Sequence, residues 1–452
     1  MSEQLLARLN GSGFRLIMVA DVLALNAIMY GTNFVRFGVN WPDSLELFVF
    51  SFSIATIVLL STLYFGGLYE REPHLGAQPV FPRVFRLMLV GGGVVALVTL
   101  ASSGIFREFT FSGSQRLPFP FLNLMALIVL GSAILTLIRI LSRRHQQQRI
   151  GRFTVLLAGN PVDVAAVSDQ FSREDQDFVI VGAITKPSDL LTQVSALSPT
   201  DLMVVSPSWI SDNGEQLVHL LDGWGLNILI RVRGIDTILG LKQISQVAGL
   251  PFIQIRASAL PLSQAHLKRF IDLVLVIGLG PVWLILYALV ALYQLIVAGK
   301  PILFVQHRVG LENRTFPMLK FRTMALEAED QTGPILSSSD DDRVIPACRW
   351  LRATRMDELP QLFNVLSGHM SIVGPRPERP ELIANFEAGI QGYRLRHSLR
   401  PGLTGLAQIY GHYDTGPEYK LGYDLHYAVN WSAWLDAQIL FRTIFVVLGR
   451  RV

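Results

Sequence analysis

Residues Arg349–Arg379 read RWLRATRMDELPQLFNVLSGHMSIVGPRPER and hold the chain's densest cluster of chemistry-bearing side chains. Two adjacent carboxylates, Asp357 and Glu358, precede Leu359, Leu362, Phe363 and Leu366, which recur at helical spacing. The spacing predicts a helix with Asp357 as its N-cap and Pro360 in the tolerated first turn. Orphan backbone N–H groups and the helix dipole would keep a carboxylate there ionised. Arg349, Arg352, Arg355, Arg376 and Arg379 surround the pair in sequence. The turn Gly374-Pro375-Arg376-Pro377 cannot continue a helix and should fix the pose of Arg376. A carboxylate ringed by guanidiniums suits a site that handles phosphates with a metal between like charges. For an isolated Asp-Glu pair, a capped helix with surface arginines is the plainer alternative.

Three further blocks flank this stretch: Gln306-His307-Arg308-Val309-Gly310, KFRTM at Lys320–Met324, and PGLTGLAQIYG at Pro401–Gly411. In this order, over most of Lys268–Val452, they resemble the bacterial sugar transferase family, the polyprenyl-phosphate hexose-1-phosphate transferases. The N-terminal part resembles the long members of that family. The resemblance implies that a hexose-1-phosphate moves from a UDP-hexose to undecaprenyl phosphate with release of UMP, beginning exopolysaccharide or O-antigen synthesis. UDP-glucose is favoured over UDP-galactose as donor. Asp357 would be the nucleophile and form a phosphosugar-aspartyl intermediate. Glu358 would help hold Mg²⁺, while Lys320, Arg322, Arg352 and Arg376 would contact phosphate or nucleotide-sugar oxygens. The resemblance also makes a homodimer the expected assembly. A non-catalytic membrane scaffold for glycan assembly is the competing class, and the intact Asp357-Glu358 pair argues against it.

The chain departs from the family pattern at three places. Arg355 and Met356 stand where Ser and Leu are common, Gly280-Pro281 replaces a frequent Ser-Pro, and Gly411-His412 replaces a common Gly-Arg. The first changes local polarity but keeps the carboxylate pair and the following proline. The second keeps a kink but loses a capping hydroxyl. The third exchanges a permanent charge for a titratable donor.

With 452 residues, half of them apolar, 16% charged and a mean hydropathy of +0.40, the chain is too apolar for soluble domains alone. Its formal charge is +4, yet Lys and Arg flank apolar blocks or sit in the motifs above rather than forming a nucleic-acid-binding patch. Cys348 is the only cysteine, which excludes an intrachain disulfide and points to a packed small side chain. Four apolar stretches approach membrane-spanning length: Phe14–Phe34, Leu45–Gly66, Val84–Ala101 and Phe121–Leu141. Asp21 is expected to make a helix-end or bundle contact, and Gly91-Gly92-Gly93 to permit close helix packing. Arginines cluster before the first stretch, between the second and third, and after the fourth, so both ends of this unit should be cytoplasmic.

The expected architecture is a membrane α-helical bundle at 1–150, a Rossmann-like α/β domain at 151–260 and a C-terminal α/β catalytic domain at 261–452. In the middle domain FTVLLAGN, DFVIVGAIT, DLMVVSP and LNILIRV read as strands, and Leu250–Leu260 as a connector. Gly159-Asn160-Pro161 offers one glycine where a dinucleotide fingerprint needs several, so a structural or regulatory role is the safer reading. Leu273–Ala298 is long enough to cross a membrane, but Gly278, Gly280 and Pro281 interrupt it. A re-entrant helix, kinked at Pro281 with Lys268 and Arg269 at the lipid phosphates, keeps the basic motifs on the cytoplasmic face of the inner membrane. Pro301–Val309 and Phe316–Phe321 read as extended. The acidic residues Glu327, Glu329, Asp330 and Asp340–Asp342 read as a solvated loop. Trp431–Val447 reads as an amphipathic segment, with core packing as the competing view of Trp431 and Trp434.

Overall fold

The computed structural model describes residues 13–41, 44–70, 79–105, 119–150, 153–172, 178–206, 209, 226–232, 245–247, 250–255, 260–325, 343–390, 392–411 and 416–448. His412 and the acidic residues from Glu327 to Asp342 lie outside the described residues. The chain forms two compact units, Met1–Ile255 with Pro261–Gln264, and Arg256–Leu260 with Ala265–Val452.

The first unit opens with helices α1 (Gly13–Phe37), α2 (Leu45–Phe65) and α3 (Val80–Ile105). A fourth helical rod follows, made of α4 (Phe121–Ala126), a π-helical turn at Leu127–Gly131 and α5 (Ser132–Ile150). Each contains a stretch long and apolar enough to cross a membrane, as the sequence led us to expect. Phe48, Phe52, Ala55, Leu59 and Leu63 recur every three or four residues on α2 and meet Leu25, Met29, Val84 and Met88 in the bundle core. Val49, Phe50, Ile57, Leu97, Leu100 and Leu137 face outward, where lipid replaces water. Close packing at the glycines is real for Gly91 and Gly92: a Cβ would lie 2.9 Å from Leu59 and 3.2 Å from Ile128, respectively. Gly93 faces open space.

Asp21 makes the expected bundle contact. Its buried carboxylate pairs with Arg139 at 2.7 Å and accepts a hydrogen bond from Tyr69 Oη at 2.7 Å. Three separate segments are thereby tied at one end of the bundle. At the other end Asn123 joins Thr32 and Asn33 through hydrogen bonds of 2.7 and 3.0 Å. Asp21 and Asn123 thus find partners on other segments, which offsets the cost of removing them from water.

The same unit carries a six-stranded sheet: β1 (Phe153–Ala158), β2 (Phe178–Ile184), β3 (Asp201–Val204), β4 (Asn227–Arg231), β5 (Ser245–Val247) and β6 (Leu250–Ile255), in the order β2-β1-β3-β4-β6-β5. The first four strands named from sequence are present and parallel. Helices α6 (Pro161–Ser172) and α7 (Leu190–Leu197) accompany them, with separate apolar clusters on the two sheet faces. Reading Leu250–Leu260 as a connector was wrong over its first half, because β6 runs antiparallel to β4 there. Pro251 lies within this strand, its carbonyl accepts from Val232 N at 3.0 Å, and Phe252 fills the core.

The second unit holds α8 (Leu262–Gly278) apart from its first three residues, and α9 (Gly280–Val297); the two are separate helices meeting at Leu279. Pro281 supplies no N–H at the break, and Trp283 Nε1 donates to Val276 O across it at 2.8 Å. Val276 and Trp283 face Phe316, Met318, Val365 and Met370, whereas Val274, Ile277, Val282, Ile285 and Leu289 are exposed. The middle of α8 and the end of α9 are both bonded to the same globular core. Arg269 donates to the carbonyls of Val365 and Leu366, and Asp272 accepts from Ser371 Oγ at 2.7 Å. Tyr293 Oη donates to Ala347 O at 2.8 Å. Cys348 is buried beside Gln294, a packed side chain as expected.

The core continues with the hairpin β7 (Leu303–Val309) and β8 (Thr315–Phe321), helices α10 (Arg349–Ala353) and α11 (Gln361–Ser367), and strand β9 (Ser371–Val373). Helix α12 (Pro380–Gly389), strand β10 (Gly402–Thr404) and helices α13 (Leu406–Tyr410), α14 (Pro417–Val429) and α15 (Ala433–Leu448) complete it. Where β9 and β10 run side by side, a Cβ on Gly402 would sit 2.1 Å from Gly374 N. Only glycine permits that approach, and it seats the turn carrying Arg376 on the PGLTG segment. Trp431 is buried and donates to Asp436 at 3.1 Å, as core packing predicts, while Trp434 is exposed.

Candidate active site

The carboxylate pair precedes its helix instead of capping it. After α10, Arg355 takes a left-handed conformation (φ 60°), and Met356–Glu358 form a 3₁₀ turn. Helix α11 starts only at Gln361, with Pro360 at its N-cap position. The sequence placed the helix start at Asp357 because the apolar spacing begins there; the i→i+3 bonds of Glu358 and Leu359 show a tighter turn. Asp357 therefore has no helix N–H groups to hold its charge. It is buried, and its Oδ1 has no hydrogen-bond partner.

Burial, then the negative charge of Glu358, push the Asp357 carboxyl up to about 6, with Lys320, Arg355 and Arg352 opposing the rise. This corrects the expectation of a carboxylate held firmly ionised by a helix terminus. Glu358 goes the other way. Burial would raise it, but Lys320, Arg376 and Arg355 outweigh that and bring it down to about 2.

Three cations converge on one atom, Glu358 Oε1: Lys320 Nζ at 3.1 Å, an Arg355 terminal nitrogen at 3.3 Å and an Arg376 terminal nitrogen at 3.7 Å. Lys320 arrives on β8, whose position against α11 is set by Asn364. That side chain accepts from Leu319 N at 3.0 Å and donates to Pro317 O at 2.7 Å. Burial lowers the Lys320 ammonium from its usual range, Arg376 adds to the fall, and the two carboxylates oppose it.

Arg376 arrives on a turn fixed from behind. Arg396 donates to Arg376 O at 3.0 Å, Arg308 donates to Pro377 O at 3.2 Å, and Gly402 N donates to Pro375 O at 2.9 Å. Arg396 is itself buried on Asp424 at 2.8 Å and on Tyr393 Oη at 2.6 Å. Sequence reading assigned Arg396 and Asp424 no role, and nothing in their spacing could have joined residues 28 positions apart.

The remaining site residues divide. Arg352, on the last turn of α10, is half-buried and within electrostatic range of Asp357. Arg322 is corrected: it is buried and donates to the carbonyls of Pro301, Ala298 and Gly299, closing the end of α9. Alternation along β8 pointed it toward the dyad, but the strand ends at Phe321, one residue earlier. Lys268 is corrected as a lipid-phosphate contact, for its buried ammonium pairs with Asp436 at 2.9 Å. Arg269 is likewise spent on the α11 carbonyls named above. Pro281 stands at the observed break.

No cluster of three or more metal-ligating side chains exists among the described residues. Two carboxylates with one unpartnered buried oxygen still fit Mg²⁺, which usually keeps waters and takes one or two carboxylates together with substrate phosphates.

A membrane unit whose buried carboxylate lies beside converging cations is built for chemistry on phosphorylated molecules. The chain belongs to the bacterial sugar transferase family: residues 263–450 match the family model described as "Bacterial sugar transferase". The chain is 31% identical to the UDP-glucose:undecaprenyl-phosphate glucose-1-phosphate transferase of Xanthomonas campestris pv. campestris, over 96% of this chain and 92% of that protein. A Klebsiella pneumoniae protein of the same description is 37% identical over 53% of this chain and 50% of its own length. The Aeromonas hydrophila UDP-N-acetylgalactosamine-undecaprenyl-phosphate N-acetylgalactosaminephosphotransferase is 37% identical over 41% of this chain and 44% of its own. The first similarity runs through the bundle and the sheet as well as the catalytic unit.

Proposed function

We propose that this enzyme transfers hexose-1-phosphate from a UDP-hexose, with UDP-glucose the favoured donor, to undecaprenyl phosphate and releases UMP. The observation that carries the reading is Asp357 Oδ1, buried and unpartnered, beside a carboxylate on which three cations converge. The Asp357 carboxylate attacks the sugar-bearing β-phosphorus, and the bond from that phosphorus to the bridging oxygen breaks. The bridging oxygen and its electron pair leave with UMP. An oxygen of undecaprenyl phosphate then attacks the phosphosugar-aspartyl phosphorus and frees the carboxylate. A carboxyl raised to about 6 is ionised at neutral pH and more basic than an exposed aspartate, which suits a nucleophile. Lys320 and Arg376 bind and orient the donor's diphosphate, and Arg352 supports the charge of Asp357. Glu358, together with the diphosphate oxygens, would hold Mg²⁺, which would supply further neutralisation of the leaving charge.

The deciding experiment incubates purified enzyme with UDP-glucose, UDP-galactose or UDP-N-acetylgalactosamine, undecaprenyl phosphate and Mg²⁺, and identifies both products. UMP with a polyprenyl-diphosphate-sugar supports the reading, and the fastest donor sets the sugar. UDP as the nucleotide product would make the protein an ordinary glycosyltransferase and sink it.

The same proposal places α8–α9 in the membrane as a re-entrant pair, in an inner-membrane protein whose catalytic unit is cytoplasmic. Support comes from the middle of α8 and the end of α9, on either side of the break, being bonded to one globular core, which a single straight crossing would separate. Cysteines placed beside His145 and beside Glu387 should label from the same side in intact and permeabilised cells. Opposite accessibility would leave α9 as an ordinary span. The homodimer remains part of the proposal, and the mass of the nanodisc-embedded particle decides it.

A further inference from the structure

Among the described residues near the dyad, Arg355 is the one whose backbone is held in the left-handed region, at φ 60°. A non-glycine residue there is strained, and such strain gathers where a side chain must be aimed. The strain aims Arg355 at Glu358 Oε1, the atom that Lys320 and Arg376 also approach. One carboxylate oxygen cannot satisfy three cations. It has two lone pairs, and even with the neighbouring Asp357 carboxylate counted the three cations outnumber the anions.

The cluster is therefore short of anion, not of cation. Exposure says which members can turn to a newcomer: Lys320 is 21% exposed, Arg355 35% and Arg376 42%, while Glu358 beneath them is 13% exposed. The deep lysine and carboxylate form the floor, and two guanidiniums form a rim with nitrogens open to solvent. A guanidinium fork matches two phosphate oxygens at once.

We propose that Arg355 is a donor-binding residue, the second rim guanidinium of a diphosphate cradle, and that Glu358 holds it as a stand-in anion until the diphosphate arrives. This rests on the donor class proposed above and adds a residue to it. On binding, Arg355 exchanges the single oxygen of Glu358 for oxygens of the diphosphate. The carboxylate is relieved of a competing cation in the same step.

The test uses the full chain in nanodiscs and measures binding of UDP and of uridine by calorimetry. Arg355→Gly removes the side chain and also suits the left-handed backbone, so its thermal midpoint should equal or exceed that of wild type. UDP affinity should fall at least about tenfold in Arg355→Gly and recover partly in Arg355→Lys, while uridine affinity stays unchanged. A purely structural arginine would instead lower the midpoint and weaken both ligands together. UDP bound equally well by wild type and Arg355→Gly overturns the role of Arg355 and leaves the donor class standing. Failure of wild type to bind UDP overturns the donor class and the cradle with it.

Discussion

Asp357→Asn is expected to abolish both UMP release and formation of any phosphohexose adduct, while making the protein more stable above pH 6. The substitution keeps the shape of a buried side chain and deletes the negative charge that attacks phosphorus. Intact-protein mass spectrometry with UDP-glucose present and acceptor absent should show wild type gaining one phosphohexose, mapped to Asp357, and the variant gaining none. In wild type the rate of adduct formation should fall about tenfold per pH unit below the carboxyl's value of about 6.

The stability effect has the opposite sign. The folded-state value of Asp357 is raised above the ordinary 3.8, so the fold prefers the protonated form. Its contribution is fully present below about pH 4 and is lost as pH rises through about 6. Asparagine does not titrate, so the variant's thermal midpoint should pull ahead of wild type across that window and not below it. An aspartate kept for structure would lose stability on this change at neutral pH. An adduct of equal yield in Asp357→Asn would refute the nucleophile, and turnover without any adduct under rapid quench would favour direct transfer.

What the sequence displayed and what it hid follow from the range of the interactions involved. The spans were legible because a stretch of apolar residues states its own environment, and the break at Leu279 because Gly278, Gly280 and Pro281 are local signals. The carboxylate pair was legible as chemistry, but its setting was not. Burial of Asp357 and the convergence on Glu358 depend on β8 and on the Arg376 turn, both distant in sequence. The misassigned basic residues share one cause. Lys268 and Arg322 stand in runs that look solvent- or ligand-facing, and only the fold reveals that Asp436 and the carbonyls after α9 consume them. Asp436 illustrates how complete that consumption is, for it also accepts from Tyr427 Oη at 2.6 Å and from Trp431 Nε1. A charge count in sequence cannot separate a spent cation from an available one.

Arg396→Met should be strongly destabilising, and pairing it with Asp424→Leu should restore stability without restoring donor affinity. Arg396 and Asp424 are both nearly inaccessible and are bonded at 2.8 Å. Removing one partner of such a pair typically costs about 3–5 kcal/mol, whereas replacing both by apolar groups is often neutral or better. Burial already raises the Asp424 carboxyl to about 6 against the pull of Arg396. Without the guanidinium it rises further, so the folded state should lose stability as pH climbs from about 4 to that higher value. Arg396→Met should therefore unfold at a lower midpoint than wild type, with a larger gap at pH 8 than at pH 5. The double variant has no charge left at this pair to titrate, and its midpoint should return toward wild type at both pH values. Function should separate from stability because Arg396 also donates to the carbonyl of Arg376. In single and double variants alike that carbonyl loses its donor, the turn loosens, and Arg376 no longer meets the diphosphate in a fixed pose. UDP affinity should stay reduced in the refolded double variant, with uridine affinity unchanged. If the double variant regains wild-type stability and wild-type UDP affinity together, the Arg396–Asp424 pair supports the fold alone, and the clamp on the Arg376 turn must be carried by Arg308 and the glycines of the PGLTG segment.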